Sequence, residues 1–178
     1  MATGFLGTYP LPHVLSANGH HELAVRLVQS RQFPSWGYEI ENGATTVWER
    51  WDSYTKEKGF QNAAMNSFSH YAFGAVSEWM FRRLAGIEAL DAGQSRFLIR
   101  PQPGGTLEWV RAFYDSPRGR VRTAWRRTAE GLEAEIEIPA NVTAEIVLPG
   151  PDGKEVKTEA GSGTWRFLNG RRVSSGRD

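Results

Sequence analysis

The strongest constraint in this sequence is a change of hydrophobic period near Asp91-Ala92-Gly93. Before that point apolar residues recur at helical spacing; after it they alternate. A helical stripe buries itself on another helix, and a period-two strand buries one face on a second sheet. The expected fold class is multidomain, α then β, with residues 1–92 helical and residues 93–178 an antiparallel β-sandwich. A length of 178 residues suffices for two small cores.

In the first part, Leu11, Val14 and Leu15 predict a short helix ended by Asn18-Gly19. Leu23, Ala24, Leu27 and Val28 give a second stripe. The third and clearest comprises Phe68, Tyr71, Ala72, Ala75, Val76, Trp79 and Met80. Ser67 or Ser69 is its expected N-cap, Arg82-Arg83 suit its last turn, and Gly86 follows its end. In the second part, Leu107–Asp115 and Val121–Arg127 predict a hairpin about Ser116-Pro117-Arg118-Gly119. Leu132–Ile138 is a clean period-two strand ended by Pro139. Thr143–Leu148 and Thr164–Leu168 are further strands, and 171–178 is expected to be a frayed tail.

Composition removes several functions. Net charge is +1, and arginines between Arg118 and Arg127 alternate with apolar residues, so they read as a strand's solvent face rather than a phosphate grip. No nucleic-acid partner is expected. There is no Cys, and His13, His20-His21 and His70 form no ligand set. No metal site and no cofactor are expected, with an oxygen-ligated divalent cation left open. No apolar run nears the roughly 18 residues of a membrane span. No signal pattern opens the chain. The expectation is a soluble chain with no membrane partner; the cytoplasm is favoured over export, though the residues do not decide the compartment.

Chemistry concentrates in Trp48-Glu49-Arg50-Trp51-Asp52. Aromatic faces stack on the C–H faces of sugars, while acids and Arg hold hydroxyls. A Glu so placed is a candidate acid or base for a glycosidic bond. The same five residues also read as a Trp-rich core corner with a structural Glu–Arg pair. The longer run from Phe33 to Asp52 holds Trp36, Trp48 and Trp51 with Glu39, Glu41, Glu49 and Asp52, and sustains neither period. Pro34, Gly37 and Asn42-Gly43 punctuate it as turns. So aromatic an irregular segment is expected to line a cleft.

Four blocks carry a family resemblance: Gly4-Phe5-Leu6-Gly7-Thr8, Pro34-Ser35-Trp36-Gly37-Tyr38, Gly43 through Asp52, and Met65 through Val76. In order and spacing they resemble the C-terminal part of bacterial α-L-rhamnosidases, over roughly residues 3–148. The resemblance implies the last helices of an (α/α)6 toroid followed by a β-sandwich, and inverting hydrolysis of terminal α-L-rhamnosides. It implies Glu49 as the general base that activates water and His70 as a contact to the sugar. Trp36 and Trp48 are candidate aromatic walls on physical grounds alone. His70 is expected at a helix start, facing away from the apolar stripe.

The family's general acid lies upstream of the matching blocks, and neither Glu39 nor Glu41 matches its motif. Met1-Ala2 is compatible with a start inside a longer gene. The expectation is a base-bearing piece that is inactive alone, because leaving-group protonation is typically worth about 10²–10⁴-fold. The alternative is a non-catalytic sugar-binding or structural fragment stabilised by its β-sandwich. The expected ligand is a rhamnoside or other carbohydrate. Self-association through the uncovered surface of an incomplete toroid is expected as well.

Overall fold

A computed structural model describes residues 3–173. Two compact units divide the chain between Trp79 and Met80. In the first unit, α1 (Phe5–Thr8), α2 (Pro10–Ala17), α3 (His21–Gln29) and α4 (Trp36–Glu41) follow in order. Helix α2 starts with Pro10 in its first turn, where a missing N–H costs nothing. Its Ser16 hydroxyl accepts from Trp79 Nε1 at 2.9 Å and meets His21 Nδ1 at 3.0 Å. Trp79 is thereby fully buried with its one polar atom satisfied.

Helix α4 departs from expectation: Gly37, a turn residue by sequence, lies inside it. Ser35 caps it, its hydroxyl accepting from Tyr38 N at 3.0 Å. Gly37 is needed for a different reason: a Cβ there would lie 2.3 Å from the Ser30 carbonyl oxygen. Between α4 and Ala72 the chain is irregular except for the small hairpin of β1 (Tyr54–Thr55) and β2 (Gly59–Phe60) and a 3-10 turn, Ala63–Met65.

The third predicted helix is shorter and less regular than its stripe. It begins at Ala72 as a 3-10 turn, becomes α5 (Val76–Trp79), and in the second unit continues as a π-helical turn, Met80–Ala85. Neither Ser67 nor Ser69 caps it; the Ser67 hydroxyl instead accepts from Ser69 N at 3.1 Å. Phe68 serves as a partner of Trp48 rather than a helical stripe residue, and Tyr71 is 88% exposed.

In the second unit, β3 (Ile87–Ala89), β4 (Arg96–Ile99), β8 (Thr143–Pro149) and β9 (Glu155–Ala160) form one sheet in that order. The other runs β11 (Arg171–Val173), β10 (Gly163–Leu168), β7 (Gly131–Ile138), β6 (Gly119–Thr128), β5 (Trp109–Ser116). Both sheets contribute to one buried core that includes Phe97, Ile99, Val121, Trp125, Ile136, Ile146 and Phe167. Two sheets over one core give the expected sandwich, with corrections. It is not wholly antiparallel: β4 and β8 pair in parallel, Arg96 opposite Thr143 and Ile99 opposite Ile146. Arg171–Val173 is an edge strand rather than frayed tail; the remainder of that predicted tail lies outside the described residues.

The unit boundary precedes the change of period because the π-helical turn already belongs to the sandwich. Trp125 Nε1 donates to the Leu84 carbonyl at 2.6 Å and Thr123 Oγ1 to the Ala85 carbonyl at 2.9 Å. Gly86 then turns at φ +77, where a Cβ would overlap the Pro101 backbone nitrogen. The arginines of β6 lie on the solvent side as expected. Arg122 pairs with Glu137 at 3.4 Å, Arg126 with Glu133 at 2.6 Å, and Arg120 with Asp115 at 2.6 Å.

Candidate active site

Glu49 is placed by two irregular segments that hydrogen-bond side by side in the first unit. His70 N donates to the Val47 carbonyl at 2.8 Å, and Glu49 N to the Ser67 carbonyl at 2.9 Å. The Thr46 hydroxyl donates to the Phe68 carbonyl. The backbone so fixed carries a half-buried carboxylate whose Oε2 accepts from Ser67 N at 2.7 Å. Main-chain donors orient a carboxylate without flexible side chains, which suits a group that must meet a reacting atom.

The feared ion pair is absent. Arg50 turns to Asp52 instead, with Nε to Oδ1 at 3.0 Å and Nη2 to Oδ2 at 3.4 Å. Among the described residues Glu49 makes no ion pair. It lines an open cleft of about 430 Å³ together with Arg50, Asp52 and the apolar side chains Phe5, Phe33, Trp51 and Phe73. Apolar walls with a few convergent polar groups make a ligand site.

The aromatic walls are not those read from the sequence. Trp48 is 4% exposed and its ring is engaged edge-on by Tyr54 and Phe68, so it offers no free face. Trp36 does not line the cleft either. It donates from Nε1 to the Phe73 carbonyl at 3.2 Å and meets Trp51 edge-on, with centroids 5.1 Å apart. Trp51 lines the cleft. It stacks on Phe73 at 4.0 Å and donates to the Thr3 carbonyl at 2.9 Å. Phe5 and Phe73 lie outside the segment expected to line a cleft, because only topology brings residues so distant in sequence to Glu49; Phe33, Trp51 and Asp52 belong to that segment.

His70 precedes the helical turns rather than starting a helix. Its ring is stacked between Phe5, centroids 4.9 Å apart, and Tyr71, 5.7 Å. Nδ1 accepts from Ala72 N at 3.3 Å. That lone pair in use leaves Nε2 as the N–H of the neutral ring, able to donate to a hydroxyl. The shared ladder brings the Glu49 and His70 backbones together, and Phe5 joins the cleft to the His70 ring.

One carboxyl stands apart. Glu39 on α4 is 3% exposed, and its Oε1 is buried with no hydrogen-bond partner. Burial pushes its pKa up to about 7, against the opposing effect of a hydrogen bond from the Trp48 backbone N–H.

A larger groove of about 1220 Å³ covers the outer face of the five-stranded sheet. Its Arg126 and Arg166 are committed to Glu133 and Glu135. Among the described residues no group of three or more His, Asp or Glu side chains could hold a metal ion. No helix there is long and apolar enough to cross a membrane.

Comparison with known proteins gives the family. Residues 1–84 match the bacterial alpha-L-rhamnosidase 6 hairpin glycosidase domain, and residues 86–163 the bacterial alpha-L-rhamnosidase C-terminal domain. An alpha-L-rhamnosidase of Streptomyces avermitilis is 44% identical over 94% of this chain, and one of Formosa agariphila is 40% identical over 97%. This chain spans 18% of the length of each. The crystal structure of the Streptomyces avermitilis enzyme complexed with L-rhamnose superposes over 94% of the chain with a TM-score of 0.89 at 43% identity. A helical segment of the six-hairpin type, followed by the C-terminal β domain, places the chain in the bacterial α-L-rhamnosidase family.

Proposed function

We propose that Glu49 is the general base of an inverting hydrolysis of terminal α-L-rhamnosides, working in a catalytic unit of which this chain supplies one side. The observation that carries this is its placement: the carboxylate lines the apolar cleft, held by a main-chain N–H and outside any ion pair among the described residues. One oxygen is oriented by Ser67 N, and the other is left to accept a proton from water. His70 Nε2 donates to a sugar hydroxyl. Trp51 and Phe73, rather than Trp36 and Trp48, give the cleft its stacking surface.

Inversion needs a carboxylic acid roughly 6.5–9.5 Å from the base, on the other side of the bond. Among the described residues no acid fits. Asp52 has both oxygens on Arg50, and Glu39 does not line the cleft. The acid therefore belongs to the remainder of a catalytic unit far longer than this chain, and the 178 residues alone do not hydrolyse.

The test is a hybrid enzyme in which this chain replaces its counterpart in the Streptomyces avermitilis enzyme. The hybrid is expected to release an aryl leaving group from an α-L-rhamnoside with inversion at the anomeric carbon. Glu49→Gln should lower kcat by about 10²–10⁴-fold, the usual worth of a positioned base. Full activity of that variant rejects Glu49 as the base. Hydrolysis by the isolated chain rejects the missing acid. A second reading, a fragment that binds sugar without catalysis, is favoured by the same missing acid and predicts rhamnose binding by the isolated chain.

A further inference from the structure

We propose that Asn66 is a positioning residue for Glu49: its side-chain amide fastens the Asn66–Ser67 peptide to Ser53, and that peptide's N–H holds the base. The proposal rests on the reading of Glu49 as base; the hydrogen bonds beneath it do not.

Ser67 engages Glu49 twice. Its carbonyl accepts from Glu49 N at 2.9 Å, and its N–H donates to Glu49 Oε2 at 2.7 Å. A main-chain donor has no rotamer to adjust, so the carboxylate it orients is aimed only as well as the peptide itself is fixed. Asn66 fixes that same peptide through its side chain. Its Nδ2 donates to the Ser53 carbonyl at 3.0 Å. Ser53 is fully buried and closes the turn that follows Glu49. Its N–H donates to the Arg50 carbonyl at 3.0 Å, and its Oγ accepts from Arg50 N at 3.1 Å. The stretch from Glu49 to Ser53 is thus tied at both ends to two adjacent residues, Glu49 to Ser67 and Ser53 to Asn66.

Asn66 is not needed to satisfy its partner, because the Ser53 carbonyl also accepts from Gln61 N at 3.0 Å. Nor is Asn66 satisfied itself: its Oδ1 is buried without a hydrogen-bond partner. A buried amide with one end unpaired is unfavourable. An apolar side chain of similar size would remove that burden and leave Ser53 paired. What it could not supply is the tie between the peptide that holds Glu49 and the turn that follows Glu49.

The experiment places Asn66→Leu, similar in size but without the donor, and the smaller Asn66→Ala in the hybrid enzyme and in the full chain. In the hybrid, either is expected to lower kcat by about tenfold or more with KM little changed, since a misplaced group costs rate before binding. In the Glu49→Gln hybrid the same substitutions are expected to lower kcat by less than about twofold, because no base remains to be aimed. In the full chain, amide hydrogen exchange at Glu49 and Ser67 is expected to speed by about tenfold or more while α2 and α3 are unchanged. An unchanged kcat overturns the proposal, and so does unchanged exchange at Ser67. An equal loss of kcat in the Glu49→Gln background, or a loss of protection that spreads through α2 and α3, overturns it as well, since either marks a general structural role. If instead Glu49→Gln leaves the hybrid active while exchange at Ser67 still speeds, the base assignment has failed and the tie through Asn66 has not.

Discussion

At the scale of single residues, Glu39 carries a pH signature. Its pKa is about 7 folded, against an ordinary 4.5. Between those values the folded chain holds a proton that the unfolded chain has released. Stability is therefore highest below pH 4.5 and falls as pH rises through 7. A shift of that size corresponds to roughly 3 kcal/mol. Urea unfolding of the first unit, followed by Trp fluorescence at pH 5 and pH 8, should show this loss, and Glu39→Gln should flatten it. Asp91 works in the opposite sense and outside this window. The Ser95 hydroxyl and the Arg96 backbone N–H lower its pKa from 3.8, so its contribution is lost only as pH falls further. Legibility divides along the same line. Glu49 and His70 stand out in the sequence as candidates, by residue type in a recognisable spacing. The burial of Trp48 does not, because a ring's free face depends on Tyr54 and Phe68, which no periodicity links to it. Glu39 was visible only as one more nearby carboxylate.

At the scale of elements, strand β7 shows why the second unit was the more readable. Glu133, Glu135 and Glu137 face solvent opposite arginines, while Ala134, Ile136 and Ile138 enter the core. The two sets contribute differently to stability. Ile136→Ala should cost about 2–5 kcal/mol through lost burial and a cavity. Glu135→Ala should cost at most about 1 kcal/mol, because its partner Arg166 is solvent-exposed. Denaturant midpoints of the two variants check this; similar losses would mean the register is wrong. Strands β3 and β4 escaped notice because each is very short, and the parallel pairing of β4 with β8 has no hairpin turn to announce it. Strand β9 has a weak inner face in Val156, Thr158 and Ala160 and lies at a sheet edge. In the first unit, the apolar residues before Ala72 mimic a helical stripe, but the chain there bends and hydrogen-bonds to the Val47–Glu49 segment, so Phe68 lies outside any helix.

At the scale of the whole molecule, the two units differ in how well they cover themselves. The sandwich buries a continuous core between its sheets. The helical unit leaves Leu6, Ile40, Phe60, Met65 and Tyr71 more than two-thirds exposed. Single exposed apolar side chains are ordinary on a protein surface, but five so bare in fewer than eighty residues are not. Relatives more than five times as long have further chain to place against such a surface. In the isolated chain only solvent or another copy is available. Burying a Leu or Phe side chain yields about 1.5–3 kcal/mol. Several together can offset the entropy lost on association. The isolated chain should therefore form dimers or larger species whose mass rises with concentration in light scattering. Leu6→Lys combined with Phe60→Lys should shift it toward monomer while leaving the sandwich's unfolding transition in place. A wild-type chain that stays monomeric and keeps its helices by circular dichroism at high concentration would show that this surface needs no covering.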